Sequence, residues 1–192
     1  MSDFSVQRLL VLSIVDELRR TFRYLHPCDQ NSNSYSIALY STILQAASAS
    51  ERLIKLRCSE LGIVYKVKLP EDRRVIADGL KLSGSSVMFH DWSGGRVFSP
   101  FLTWGSQGST PWWDKYNAVK HDSANALQSS TLENAMYSVS AAILALGPHL
   151  ISDGMTWLTS DLPSGTPASR FSDLGFSVVA SEDFWNSRGS TE

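Results

Sequence analysis

Apolar residues recur at alternating steps of four and three positions near the start of the chain, which is the spacing of one helix face. The positions that share this spacing are Val11, Val15, Leu18, Phe22 and Leu25. The pattern predicts one long helix over residues 4–26, which Pro27 ends. Arg19, Arg20 and Arg23 fall away from the apolar row, and we interpret them as a solvated face rather than as an RNA contact.

A second helix is predicted over residues 34–61, and Gly62 stops it. Its apolar row consists of Ile37, Tyr40, Leu44, Ala47, Ile54, Cys58 and Leu61. The same spacing assigns Glu51 to this row, where a carboxylate is costly unless it is paired. Two interpretations stay open. Glu51 lies at the edge of the row and reaches water, or it faces the side of a later helix that carries Asn117 and His121.

The pattern changes from helical to alternating over residues 62–109. Two runs, Ile63 to Leu69 and Val87 to Trp92, read as strands. Gly94 and Gly95 predict a turn between the second run and a third, Arg96 to Phe98. We expect a small β-containing excursion or an ordered loop here. Neighbouring strand residues point to opposite faces, so His90 and Asp91 do not suggest an acid/base pair, and His90 is interpreted as structural.

The segment over residues 111–122 combines aromatic and charged residues, and it reads Pro-Trp-Trp-Asp-Lys-Tyr-Asn-Ala-Val-Lys-His-Asp. Thr110 can cap a helix and Pro111 suits its first position. At about 100° per residue the helix has two sides, with Trp112, Tyr116 and Val119 on one and Asp114, Asn117 and His121 on nearly the opposite one. One face is therefore expected to pack, and the other is available for chemistry.

A further helix is predicted from a capping box at Ser130 and Glu133 to a stop at Gly147. Its apolar row is Leu132, Met136, Val139, Ile143 and Leu146. The tail over residues 151–192 is rich in Ser, Gly and Pro with a few apolar islands. We expect the tail to wrap over the helices and its last residues to be disordered. No internal repeat or domain boundary is seen, so one domain over residues 1–192 is expected.

Composition and charge exclude several classes of protein. The 192 residues carry 17 basic and 19 acidic side chains, which gives no overall signal for nucleic acid or a membrane surface. Cys28 and Cys58 lack zinc or redox spacing and are expected to be reduced, buried thiols. The apolar run over residues 9–15 is much shorter than the ~20 residues of a membrane span, and a cytoplasmic protein is expected. The motifs of phosphate loops, metal sites and nucleophile elbows are missing from the sequence, so no cofactor and no metal are predicted.

The Trp-Trp-x-x-Tyr-Asn-x-x-Lys-His block over residues 112–121, followed by the capped helix over residues 131–146, resembles the HEPN superfamily. The two long N-terminal helices, with Glu51 on the second, are similar in layout. The resemblance implies a mainly α fold, an up-and-down bundle of about four main helices with a small β-containing excursion before the motif helix. It also implies a homodimer with the motif helices at the interface. Many HEPN proteins are metal-independent ribonucleases of toxin-antitoxin or phage-defence systems, and others are non-catalytic partners.

The HEPN nuclease signature is an arginine, four to six further residues, and a histidine. His121 occupies the histidine position, but Asp114, Lys115 and Tyr116 fill the window where the arginine belongs. A second arginine, expected two positions after the histidine, is Ser123 here. The sequence therefore departs from the signature at both positive charges.

Metal-free RNA cleavage needs a group that moves protons and a cation that stabilises the charge on the phosphate. The resemblance implies His121 as general acid/base, with Asn117 and either Lys115 or Lys120 holding the phosphate. Glu51 would orient one of these groups. Whether the protein is such an endoribonuclease or a non-catalytic dimeric scaffold with a degenerate signature stays open, as does the cognate protein partner.

A third hypothesis is a small-ligand binder that uses the tryptophan-rich loop over residues 92–113. Exposed aromatic rings in that loop would favour it. Six tryptophans in one chain are more often part of a core.

Overall fold

Five α-helices and three short β-strands form the part of the chain that the computed structural model describes, which is residues 3–104, 111–121, 126–150 and 175–180. The helices are α1 (Asp3–Thr21), α2 (Ile37–Glu60), α3 (Pro70–Gly79), α4 (Pro111–His121) and α5 (Leu132–Leu146). The strands are β1 (Ser86–Phe89), β2 (Arg96–Phe98) and β3 (Phe176–Val179). The protein is therefore mainly helical, with a small antiparallel sheet, as the sequence predicts.

Helix α5 lies at the centre of the fold and is buried on nearly every side. It contacts α1, α2, α4 and β1, which is the expected environment of a helix that is apolar all round. The predicted apolar row is confirmed, since all five of its residues are fully buried. The N-cap is Thr131, whose hydroxyl accepts a hydrogen bond from the Asn134 amide, so the cap lies one residue later than the predicted Ser130.

Helix α1 buries the predicted row, but it ends at Thr21 rather than at residue 26. Val11, Val15 and Leu18 are completely buried. After Thr21 the chain continues in tighter turns, in which the Arg23 amide donates to the Arg20 carbonyl at 3.3 Å. The regular helix stops earlier than predicted because hydrogen bonds between residues three positions apart replace the four-residue bonds of its last turn.

Helix α2 buries most of the predicted row and also a second face beside it. Ala47, Ile54 and Cys58 of the row are buried, but Ile37 is 76% exposed. Leu39, Ile43 and Leu53, which lie outside the row, are completely buried. The reason is that α2 packs against both α1 and α5, so two adjoining faces are buried and a single row does not describe them. Glu51 consequently lies at the margin of the packed surface, with its side chain 25% exposed.

The predicted strand over residues 63–69 is wrong, although the alternation behind it is real. Ile63, Tyr65 and Val67 are half-buried and the residues between them are exposed, yet the segment pairs with no described strand. Helix α3 follows it and was not predicted. Its start signals, Pro at the first position with two acidic residues in the first turn, were present in the sequence.

The three strands form an antiparallel sheet in the order β2-β1-β3. In this sheet Val87 of β1 lies opposite Phe98 on one side and Val178 on the other. Gly94 and Gly95 have positive φ between β1 and β2, which confirms the predicted turn. Strand β3 belongs to the tail predicted to wrap over the helices, and the rest of that tail lies outside the described residues.

A buried cation joins three helices at one end of α5. Arg57 of α2 is 1% exposed, and its guanidinium donates to the carbonyls of Leu80 at 2.9 Å and Leu144 at 3.4 Å. Leu80 caps α3 and Leu144 lies in the last turn of α5, where carbonyl groups carry partial negative charge. The Leu144 carbonyl also accepts from the Gly147 amide. Burial lowers the pKa of Arg57 to about 10, so the side chain stays charged at neutral pH.

The neighbouring cysteine is inert for the same reason. Burial raises the pKa of the Cys58 thiol to about 11, against the opposing effect of the Arg57 charge. Cys28 and Cys58 are both buried and free, as predicted. A neutral, buried thiol is a poor nucleophile and a poor metal ligand.

We predict that Arg57→Ala lowers the free energy of unfolding by about 3 kcal/mol, because it leaves a cavity and removes the guanidinium donor to the buried Leu80 carbonyl. Urea denaturation monitored by circular dichroism measures this change. Arg74→Ala is the matched control, since Arg74 is exposed on α3 and its removal should cost less than about 0.5 kcal/mol. Equal losses for the two variants would contradict the role of Arg57.

Candidate functional site

Helix α4 is fixed by a cluster of aromatic rings. Trp112 is completely buried and its indole nitrogen donates to the Pro100 carbonyl at 2.7 Å. Ring centroids 5.3 to 6.0 Å apart link the members of the cluster, which are Phe101, Trp104, Trp112, Trp113 and Tyr116. Edge-to-face contacts at this spacing are favourable beyond simple burial. The cluster therefore determines which face of α4 points into the protein.

The opposite face of α4 is polar and open. Trp112, Tyr116 and Val119 are buried as predicted, while Asp114, Lys115 and Lys120 are exposed and Asn117 is half-buried. His121 is the last residue of α4; its side chain lies outside the described part of the chain, as does Ser123. Asn117 precedes His121 by four residues, so the two positions share one side of the helix.

Glu51 is paired, and its two partners come from different segments. The Lys55 ammonium donates to the Glu51 carboxylate at 2.7 Å, and the Tyr65 hydroxyl is hydrogen-bonded to the same carboxylate. The Lys55 nitrogen also lies 5.0 Å from the centre of the Tyr65 ring. One of the two interpretations of the sequence placed Glu51 at the edge of its apolar row, and this position agrees with it. The carboxylate does not simply reach water, however, because it has these two partners.

The other interpretation, that Glu51 faces the side of α4 that carries Asn117 and His121, stays a prediction. Burial raises the pKa of the Tyr65 phenol, and the negative charge of Glu51 raises it further. Tyr116 of α4 is close enough to contribute to the same shift. Helices α2 and α4 are in contact, but Tyr116 belongs to the buried face of α4, opposite Asn117.

Lys120 extends this group along α4. Its ammonium lies 5.4 Å from the centre of the Tyr116 ring, a distance typical of a cation-π contact. The structure thus brings Glu51, Tyr65, Tyr116 and Lys120 into one region. Lys115 is placed on the exposed side of α4, and none of its contacts links it to this group among the described residues.

Two residues that pair with Glu51, Lys55 and Tyr65, were not predicted from the sequence. The spacing of Glu51 and Lys55, four positions apart on a helix, is a readable signal for an ion pair. Tyr65 interacts with Glu51 and with Tyr116, which lie on different elements. No local sequence pattern predicts these interactions.

The tryptophan-rich loop is not an open aromatic site in the part that the structure describes. Trp92 and Trp104 are 2% exposed, and Trp112 and Trp113 are also buried. The aromatic side chains that the ligand-binder hypothesis needs are therefore core residues here.

Neither a metal-binding cluster nor a membrane-spanning helix occurs within residues 3–104, 111–121, 126–150 and 175–180. These ranges contain no group of three or more potential metal-ligating His, Cys, Asp or Glu side chains. They also contain no helix with the length and apolar character that crossing a bilayer requires.

Comparison of the chain with protein-family models, with curated proteins and with solved structures finds no match in any of the three. The HEPN resemblance consequently rests on the residues of the motif and stays a prediction.

We predict that Tyr65→Phe lowers the free energy of unfolding by about 1 kcal/mol at pH 8, because Glu51 loses a hydrogen-bond donor. The raised pKa means that folding favours the neutral phenol. This contribution is complete below the unfolded pKa of about 10 and is lost as the pH rises above it. The difference between the parent protein and Tyr65→Phe should therefore shrink above pH 10 in urea denaturation. Tyr24→Phe, at a residue 90% exposed, is the control; a constant difference across this range would contradict the assignment.

Proposed function

We propose that this protein is a HEPN-like up-and-down helical bundle that binds RNA on the polar face of α4 and cleaves it without a metal ion. A toxin-antitoxin or phage-defence setting follows from the resemblance, and a cytoplasmic location follows from the short apolar run over residues 9–15. The observation that carries the proposal is the orientation of α4. Its aromatic face is buried, so the side that bears Asn117 and Lys120 is turned outward.

The proposed chemistry uses the 2′-hydroxyl of the RNA as the nucleophile. His121 removes the proton from this hydroxyl, whose oxygen attacks the adjacent phosphorus. The bond to the 5′-oxygen of the next nucleotide breaks, and that oxygen takes up the proton that His121 removed from the 2′-hydroxyl. The products are a 2′,3′-cyclic phosphate and a 5′-hydroxyl end. An imidazole suits both proton transfers because its usual pKa lies near neutrality.

The charge that develops on the phosphate has to be stabilised by a cation. Lys120, beside His121 in the sequence, is the first candidate, and exposed Lys115 is the second. Asn117 would donate hydrogen bonds to the phosphate or orient the imidazole. A lysine is a weaker phosphate clamp than the planar fork of the arginine that the HEPN signature contains, so slow cleavage is expected unless a second copy of the chain adds a cation.

A second candidate is a non-catalytic dimeric scaffold, and an exposed apolar strip favours it. Val6, Leu9 and Leu10 of α1 are 40% to 53% exposed and follow the spacing of one helix face. Leu10 and Leu44 line a groove of about 420 Å³ beside this strip. A self-complementary strip of this kind suits an isologous contact with a second copy. Leu9→Glu would then give a monomer in sedimentation experiments.

We predict that His121→Ala lowers the rate of RNA cleavage in EDTA by a factor of about 10² to 10⁴, the usual contribution of a general acid/base. The substrates are total RNA and tRNA, and the products are analysed for cyclic phosphate ends. His90→Ala is the matched control, since His90 is an exposed histidine bonded to Ser177 and far from α4 in sequence.

Cleavage by the parent and by His90→Ala, but not by His121→Ala, supports the nuclease. A folded parent protein that leaves RNA intact contradicts it and favours the scaffold. Equal cleavage by the parent and His121→Ala would mean that another residue, or a contaminating nuclease, is responsible.

A further inference from the structure

A basic groove opens at the end of α1, away from the α4 motif. It has a volume of about 510 Å³ and lies where α1 meets the turn after β1. The Phe22 ring lines it and packs 5.3 Å from the Phe89 ring of β1. Three arginines, Arg19, Arg20 and Arg23, lie along it. These are the arginines that the sequence suggested were only a solvated face.

The groove has an excess of positive charge. Asp16 lies 2.9 Å from Arg20, and Asp91 lies 3.9 Å from Arg19. Arg23 is exposed and forms no ion pair with any residue that the structure describes. Arg20 also lies 3.7 Å from Glu17, which is outside the groove lining. Among the residues that line the groove, three arginines face two aspartates, with His26 as a further potential cation, whereas the whole chain has a net charge of −2.

The spacing of two of these arginines is itself unfavourable. Arg19 and Arg23 are four positions apart, and hydrogen-bonded turns continue after α1 as far as Leu25. At this spacing side chains are neighbours, and two like charges repel each other. A bound anion would remove that repulsion and give Arg23 the partner it lacks among the described residues.

The helix dipole accounts for only part of this cluster. Cations in the last turn of a helix stabilise its partial negative charge, and Arg19 and Arg20 lie in the last turn of α1. Arg23 lies beyond Thr21, and the dipole effect falls off within the last turn. The helix dipole therefore does not explain why Arg23 lines this groove.

We infer that this groove binds the phosphate groups of single-stranded RNA. The guanidinium groups of Arg19 and Arg23 donate paired hydrogen bonds to phosphate oxygens, which arginine does better than lysine. The inference rests on the RNA-binding function proposed above. It adds a second contact surface, since the groove is formed by α1 and the β1 turn while α4 packs on α2 and α5.

The test uses the full chain and a fluorescently labelled single-stranded oligouridylate, titrated in EDTA at several KCl concentrations and followed by anisotropy. The double variant Arg19→Gln, Arg23→Gln should bind about tenfold more weakly, and the slope of log affinity against log salt should fall by about 0.7 for each phosphate that is no longer bound. Arg74→Gln is the matched control, because Arg74 is an exposed arginine paired with Asp78 at 3.6 Å. Circular dichroism checks that each variant is folded, and the single variant Arg23→Gln serves if the double variant is not.

The outcomes separate this inference from the proposed function. Tight binding by the parent and by Arg74→Gln, with weaker binding by the double variant, supports the groove. Equal affinities and salt slopes for all three would overturn the groove and leave RNA binding at α4 intact. A parent protein that does not bind the RNA would overturn both. Inorganic phosphate, added at constant ionic strength, shows whether the groove holds free phosphate rather than the RNA chain. If phosphate competes but the double variant binds RNA as tightly as the parent, the inference is also overturned.

Discussion

The buried guanidinium of Arg57 holds together the ends of three helices, and the rest of the fold depends on that junction. It satisfies the last carbonyls of α3 and α5 from a position on α2. A side chain at position 147 would clash with it, because a Cβ there would overlap the guanidinium carbon. The backbone at Gly147 also has a φ of 55°, so glycine is required for both reasons. Just beyond, His149 stacks on Phe4 and lies 3.0 Å from Glu60, which joins α1 to the same corner.

With α5 fixed in this way, the aromatic cluster sets α4 against it. The tryptophans of the motif are structural, since they pack on one another and on Phe101. Their burial is what leaves the remaining side of α4 polar and outward. The motif therefore combines two roles in one short helix, a buried aromatic face that orients it and an open face that carries Asn117 and Lys120. In the proposed function, the packing that stabilises the core also sets the geometry of the site.

Local patterns predicted the elements that carry strong local signals. The row and the stop signal of α5, the Gly94-Gly95 turn and the buried side of α4 were all readable from spacing and residue type. The errors arose where tertiary contacts decide the outcome. Ile37 was assigned to the core because α2 was treated as having one packed face, but α2 packs on α1, α4 and α5. Residues 63–69 alternate like a strand yet have no strand partner among the described residues.

The same limit applies to the site. The sequence could nominate Glu51, Asn117, Lys120 and His121, but not Tyr65, whose interaction with Glu51 joins two different segments. The arginines near the end of α1 were interpreted as solvated, since the groove needs Asp91, in the turn after β1, as its second wall. That turn lies far from α1 along the chain.

Photocrosslinking tests the central claim most directly. RNA substituted with 4-thiouridine is bound to the full chain in EDTA, irradiated, and the attached peptides are identified by mass spectrometry. If α4 carries the RNA, crosslinks should fall within residues 111–121 and disappear when unlabelled RNA competes. Specific crosslinks that leave this helix untouched, or none at all with a folded protein, would contradict the account.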